Sequence, residues 1–296
     1  MNNIRLATIA STAALLAAAA APSSATTITA NNPAGDAFTN ASPSNQGQAV
    51  GASGWYYNNV RANGVAGIDG TYARNGNGSV HFSGPANAKA DIEFLPGGLA
   101  IAGNYNSTGS LGTLSAFTGM SYDWYRSSTS TNDPRQAPAL RVLVDADGNL
   151  ATINDRGGLV FERVYNEGAD SSAAPTNGWV TDVIGANSIV WNFGLGIPNN
   201  SDINNSGYSF DETLAQWKAL FPNAVVIGFS SGIGSGWNGA FDGAVDNIAW
   251  TIGGVTTTNN FETRASAAAV PEPETLSLFA AALVGLGITA RRRRTR

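Results

Sequence analysis

Short runs in which every second residue is apolar recur along this chain, and most are bounded by glycine or asparagine. Val80 and Phe82 share one parity in residues 79–83, as do Ile92 and Phe94 in 91–95. Leu140, Val142 and Val144 do so in 139–145, Leu159, Phe161 and Tyr165 in 158–165, and Ile189, Trp191 and Phe193 in 188–194. A period of two places alternate side chains on opposite faces, so each run reads as a strand with one buried face. Residues 225–229 are almost continuously apolar, as in a strand buried on both faces. Turn sequences separate the runs: Asn75-Gly76-Asn77-Gly78, Pro96-Gly97-Gly98, Asp147-Gly148-Asn149 and Arg156-Gly157-Gly158. The pattern predicts an all-β sandwich over residues 26–255.

One segment has a different period. Phe210, Leu214, Trp217 and Phe221 stand at i, i+4, i+7 and i+11, one face of a helix. Ser209 or Asp211 is placed to cap its start, and Pro222 ends it. Residues 26–52 have few large apolar side chains and read as an extended arm or an edge strand. Residues 256–270 are small and polar and read as a linker.

The two ends have another character. Residues 1–25 carry Arg5, an Ala/Leu-rich apolar core and Ser23-Ser24-Ala25, the order of a secretory signal peptide. Residues 271–296 run Pro271-Glu272-Pro273-Glu274, then an uncharged apolar stretch, then Arg291, Arg292, Arg293 and Arg294. The 15 uncharged residues 276–290 would span about 22 Å as a helix, short of the roughly 30 Å hydrocarbon core, and arginine stems make up part of the difference. Arginines after an apolar helix stay on the cytoplasmic side, so the body lies across the membrane from them.

This tail resembles the PEP-CTERM sorting signal. The resemblance rests on Pro271, Glu272, Pro273 and Arg291 to Arg294, and it covers the tail alone. It implies an exosortase as partner, the inner membrane as a stage in transit, loss of the tail on maturation, and a final place at the cell surface or in the extracellular matrix.

An exported body without cysteine is held by packing, or by packing and a metal. Of 16 basic residues, Arg5 and five tail arginines lie outside the body; of 21 acidic residues, only Glu272 and Glu274 do. That leaves 10 basic against 19 acidic, a body near −9, which argues against nucleic acid as a partner. The middle of the chain resembles jelly-roll domains of the carbohydrate-binding-module and lectin type, on Tyr122-Asp123-Trp124-Tyr125, residues 140–145, Gly236-Trp237 and Val245-Asp246-Asn247-Ile248. The resemblance implies a jelly-roll-like sandwich and polysaccharide as ligand.

Candidate sites follow from the chemistry available. His81 is the single histidine, so a multi-histidine zinc site is excluded, and its parity opposite Val80 and Phe82 points it at solvent. Asp91 and Glu93 share a strand face; the run loosely resembles the carboxylate strand of some jelly-roll glycosidases, with its first and last carboxylates missing. Charges on the outer face of a strand are the plainer reading. Asp145, Asp147 and Asn149 have the spacing that opens a calcium loop, but position twelve is Arg156 instead of glutamate, so an Asp-Gly hairpin turn competes with a structural calcium. Asp242 and Asp246 are a second candidate pair for calcium. Sugar-stacking platforms are sought at Trp55 and Tyr56 and at Trp237 and Asn238, against core packing for the same rings. The function expected is a non-catalytic, exported surface protein that binds polysaccharide. A secreted polysaccharide hydrolase and a purely structural or adhesive protein are the alternatives.

Overall fold

The computed structural model describes residues 25–40, 47–98, 107–166 and 172–263. The C-terminal tail and all of the expected signal peptide but Ala25 lie outside them. Among the described residues no helix is long and apolar enough to cross a membrane.

The alternating runs form strands where their parity places them. In chain order these are β1 (Thr26–Thr29), β2 (Phe38–Thr39), β3 (Gln48–Ala49), β4 (Trp55–Arg61) and β5 (Val65–Asp69). Then come β6 (Ser79–Gly84), β7 (Lys89–Phe94), β8 (Gly112–Thr113), β9 (Phe117–Arg126), β10 (Ala139–Asp145) and β11 (Arg156–Phe161). The last are β12 (Trp179–Ile184), β13 (Trp191–Gly194), β14 (Val225–Ile233), β15 (Phe241–Ile252) and β16 (Val255–Glu262). They build two sheets. In the first, β15 lies between β9 on one flank and β6 and β16 in succession on the other, and β12, β5, β2 and β1 extend the edges. The second runs β13-β11-β10-β14-β7-β4-β3, with β8 beside the start of β14.

The two inner faces meet in one core of alternate residues, among them Val80, Phe82, Ile92, Leu140, Val142 and Leu159. Its centre is aromatic. Phe229 of the second sheet stacks on Trp250 of the first at 4.3 Å and 12°, and Trp55 meets Phe261 edge-on at 5.0 Å. The sandwich expected from the alternation is what the chain adopts.

Two elements depart from expectation, and the N-terminal arm takes the edge-strand form of the two expected for it. Residues 256–262 belong to β16, not to a linker. Gly253 and Gly254, both at positive φ, turn the chain back on β15, and Phe261 anchors the strand in the core. Its threonines suit a strand by β-branching, without an apolar stripe to announce it. The arm before residue 52 supplies three short edge strands, and β1 runs parallel to β16. The helix α1 is only Leu214–Leu220. Thr213 caps it in a reciprocal box with Gln216, so neither Ser209 nor Asp211 does. Phe210 lies ahead of the helix and stacks on Tyr165 at 4.5 Å and 13° instead. Trp217 keeps its expected inward place and donates from Nε1 to the Val190 carbonyl at 2.7 Å.

Candidate functional site

The register of the second sheet sets a row of side chains across its outer face. Tyr56, Glu93, Ser230, Arg141, Val160 and Trp191 are successive Cα partners from β4 to β13. The adjacent outward row begins Asn58, Asp91, Gly232, Ala139. The charges on these rows are not the solvated face expected for Asp91 and Glu93, because both residues are fully buried. Asp91 Oδ1 accepts from Lys89 Nζ at 2.5 Å and from Arg141 at 2.9 Å. Asn58 donates to Glu93 at 2.7 Å, and Arg141 donates to Ser230 Oγ at 3.2 Å. Two cations thus face two carboxylates. Burial pushes the Glu93 carboxyl up to about 7, with Asp91 beside it acting in the same direction. Burial also brings Lys89 down to about 8.

Beyond Trp191 this face opens into a cleft of about 370 Å³, lined by Asp133, Arg135, Gln136, Glu162, Val164, Tyr165 and Tyr208. Three different connections supply it. The segment after β9 brings Asp133 to Gln136, the turn after β11 brings Glu162 to Tyr165, and the loop before α1 brings Tyr208, while Trp191 of β13 backs onto Glu162. The rings hold one another: Phe210 stacks on Tyr165, and Tyr208 and Trp191 lie against Phe210 at 5.7 and 6.3 Å. Tyr208 remains 51% exposed, so its ring is open to a ligand.

The polar groups of the cleft differ in character. Trp191 Nε1 donates to Glu162 Oε2 at 3.1 Å, and burial raises the Glu162 carboxyl above its usual range. Asp133 is gripped by Arg135 Nε and Nη2 at 3.0 and 2.7 Å, and these bonds hold it down at about 2. Burial pushes the Tyr165 hydroxyl up to about 12, so it stays a donor. The sequence patterns passed over this cleft. Its residues lie on loops far apart in the chain, and Phe210 falls in phase with the helical period of Leu214 and Trp217.

The residues expected to act as platforms lie elsewhere. Trp55 is wholly buried in the aromatic core and is not a platform. Its neighbour Tyr56 lies half-buried on the outer face of the second sheet. Trp237 is 6% exposed and meets Phe241 edge-on at 5.2 Å, plugging the end of the sandwich, while Asn238 beside it is exposed. Asp145 and Asp147 lie together at the β10–β11 turn, with Asp155 as a third neighbour. Asp242 and Asp246 lie on the other sheet and do not join them. Four residues apart on β15, they stand roughly 13 Å from each other along the strand. Asp242 accepts from His81 Nε2 and from the Tyr72 hydroxyl, both at 2.7 Å. Asp246 is buried; its Oδ1 takes the N–H groups of Asn247 and Phe261 at 2.7 and 3.0 Å. Asn247 sits at φ 50°, in the irregular stretch of the β15–β9 ladder.

His81 is half-buried, not solvent-facing. Its two ring nitrogens meet Asp69 at 2.9 Å and Asp242 at 2.7 Å. Burial opposes its charge, but hydrogen bonds to both carboxylates outweigh this and raise its pKa. Burial raises Asp246 to about 7. These shifts share one sign. Asp246 and Glu93 hold protons in the fold that the unfolded chain releases near pH 4, and protonated His81 is stabilised up to its raised folded value. Stability is therefore expected to fall as pH rises from about 4 to about 7. Urea midpoints across that range check this, and Asp246→Asn should flatten the slope. A midpoint that climbs over the range would contradict it.

The fold and cleft define an all-β sandwich with a polar, aromatic-rimmed pocket at one side. Residues 269–294 match the PEP-CTERM protein-sorting motif. The match marks a protein exported and sorted through a membrane-anchored C-terminal signal. The chain matches no curated protein.

Proposed function

We propose that the exported body binds a polysaccharide, without cleaving it, in the cleft between Arg135, Glu162 and Tyr208. The observation that carries this reading is an open tyrosine face beside fixed polar groups. Sugars present apolar faces that stack on aromatic rings and hydroxyls that need donors and acceptors at their edges. Tyr208 offers the ring; Gln136, Arg135 and Glu162 offer the edge groups. A body near −9 disfavours a polyanion, so the ligand is a neutral polysaccharide. The tail motif brings an exosortase as the sorting partner and the inner membrane as the route, with release at the cell surface.

Tyr208→Ala is expected to weaken binding by about 1 kcal/mol, roughly fivefold in Kd, while the melting temperature stays put. Affinity electrophoresis in gels cast with neutral polysaccharides reads the first quantity and a thermal melt the second. Unchanged retardation across the polysaccharides bound by the wild type would remove the cleft from binding.

One observation favours hydrolysis as a second reading. Glu162 and Asp133 line the same cleft with their carboxyl pKa values pushed apart, the condition under which one acts as acid and the other as anion. The same incubations are assayed for new reducing ends. Release that disappears in Glu162→Gln would replace the binding protein with a hydrolase.

A further inference from the structure

We infer that the β10–β11 hairpin holds a calcium ion between Asp145, Asp147 and Asp155. Each residue brings one carboxylate oxygen to within 4.8 Å of those of the other two. Oxygens that share a calcium at about 2.3–2.6 Å lie no more than about 5 Å apart, so the spacing fits one ion.

The hydrogen bonding leaves each of the three carboxylates an oxygen to spare. Each carboxylate spends one oxygen on a fixed donor. Asp145 Oδ2 takes Arg156 Nε at 3.0 Å, Asp147 Oδ1 takes the Asn149 N–H at 2.7 Å, and Asp155 Oδ2 takes the Asp147 N–H at 2.8 Å. Asp145 Oδ1 and Asp155 Oδ1 are then left buried with no hydrogen-bond partner, and Asp145 as a whole is fully buried. A buried anionic oxygen without a partner is costly, and a hard cation is the partner that suits two of them. Charge agrees: three carboxylates against Arg156 leave two negative charges for a divalent ion. Asp147 is exposed, so water completes the coordination from outside. The third ligand comes from across the hairpin, where Arg156 pairs with Asp145 and places Asp155 beside the turn. This site is remote from the cleft and independent of whether the cleft binds sugar.

The test uses the full-length protein in detergent, stripped with chelator and titrated with calcium chloride alone. Calorimetry should show saturable binding of a single ion per chain. Saturating calcium should raise the melting temperature by about 5–10 °C over the stripped protein. Asp155→Asn keeps an oxygen for the Asp147 N–H but loses the anionic ligand; it should melt with the stripped wild type and ignore calcium. If that variant does not fold, Asp147→Asn, at an exposed position, serves in its place. A wild type with no heat of binding and equal melting in calcium and chelator would overturn the proposal. So would a calcium response that survives both substitutions.

Discussion

Arg141→Met is expected to destabilise the protein by about 3–5 kcal/mol, the cost of breaking into a buried ion-pair network by removing one of its two cations. Arg141 and Lys89 are the two cations on Asp91, whose other oxygen is already buried and unpartnered. Methionine keeps the length of the side chain and removes the guanidinium, so little of the loss comes from packing. The same substitution deprives Ser230 of a donor. Replacing Lys89, Asp91, Glu93 and Arg141 together by apolar residues of similar size should cost far less than Arg141→Met alone, because no lone charge is left behind. Urea unfolding of the two variants gives the comparison. If Arg141→Met loses less than about 1 kcal/mol, the network is solvated in solution and the outer face of the second sheet opens to water.

That network shows where sequence reasoning stops. Parity correctly placed Ile92 and Phe94 in the core and Asp91 and Glu93 on the other face. Parity carries no information on whether an outer face is wet, and here four charged side chains neutralise one another out of solvent. The same limit hid the cleft. Asp133, Glu162 and Tyr208 have no pattern in common and meet only because β9, β11 and the loop before α1 end near one another. β16 was hidden for a local reason: threonine and asparagine fill it, and only Phe261 marks its inner face. In the turn after β10, counting forward along a calcium loop reached Arg156 at position twelve. The fold returns the chain across a hairpin, so the carboxylate that approaches is Asp155, one residue earlier. The strands themselves were legible because burying one face of a sheet forces a two-residue period on the sequence. The helix boundary was not, since a capping box at Thr213 and a stacking partner for Phe210 are choices made by single side chains.

Trp55→Ala should cost about 3–5 kcal/mol, the usual range for removing a large core aromatic. Trp55 begins β4 in the second sheet, yet its ring meets Trp250 at 6.1 Å and Phe261 at 5.0 Å, both from the first sheet. It also meets Phe94 at 5.5 Å beside it, and its Nε1 donates to Asn259 at 3.3 Å. Its removal therefore opens a void between the sheets and withdraws a donor from a buried side chain, two losses that neighbouring residues cannot both repair. Trp55→Phe keeps most of the volume and should recover a large share of the stability. A sugar platform would behave in the opposite way: truncation would leave the melt nearly unchanged and abolish retention by polysaccharide. Urea unfolding of both variants, with polysaccharide retention measured on the folded fraction, separates the two. A stable Trp55→Ala that no longer binds would return this ring to the ligand and displace the cleft at Tyr208 as the binding site.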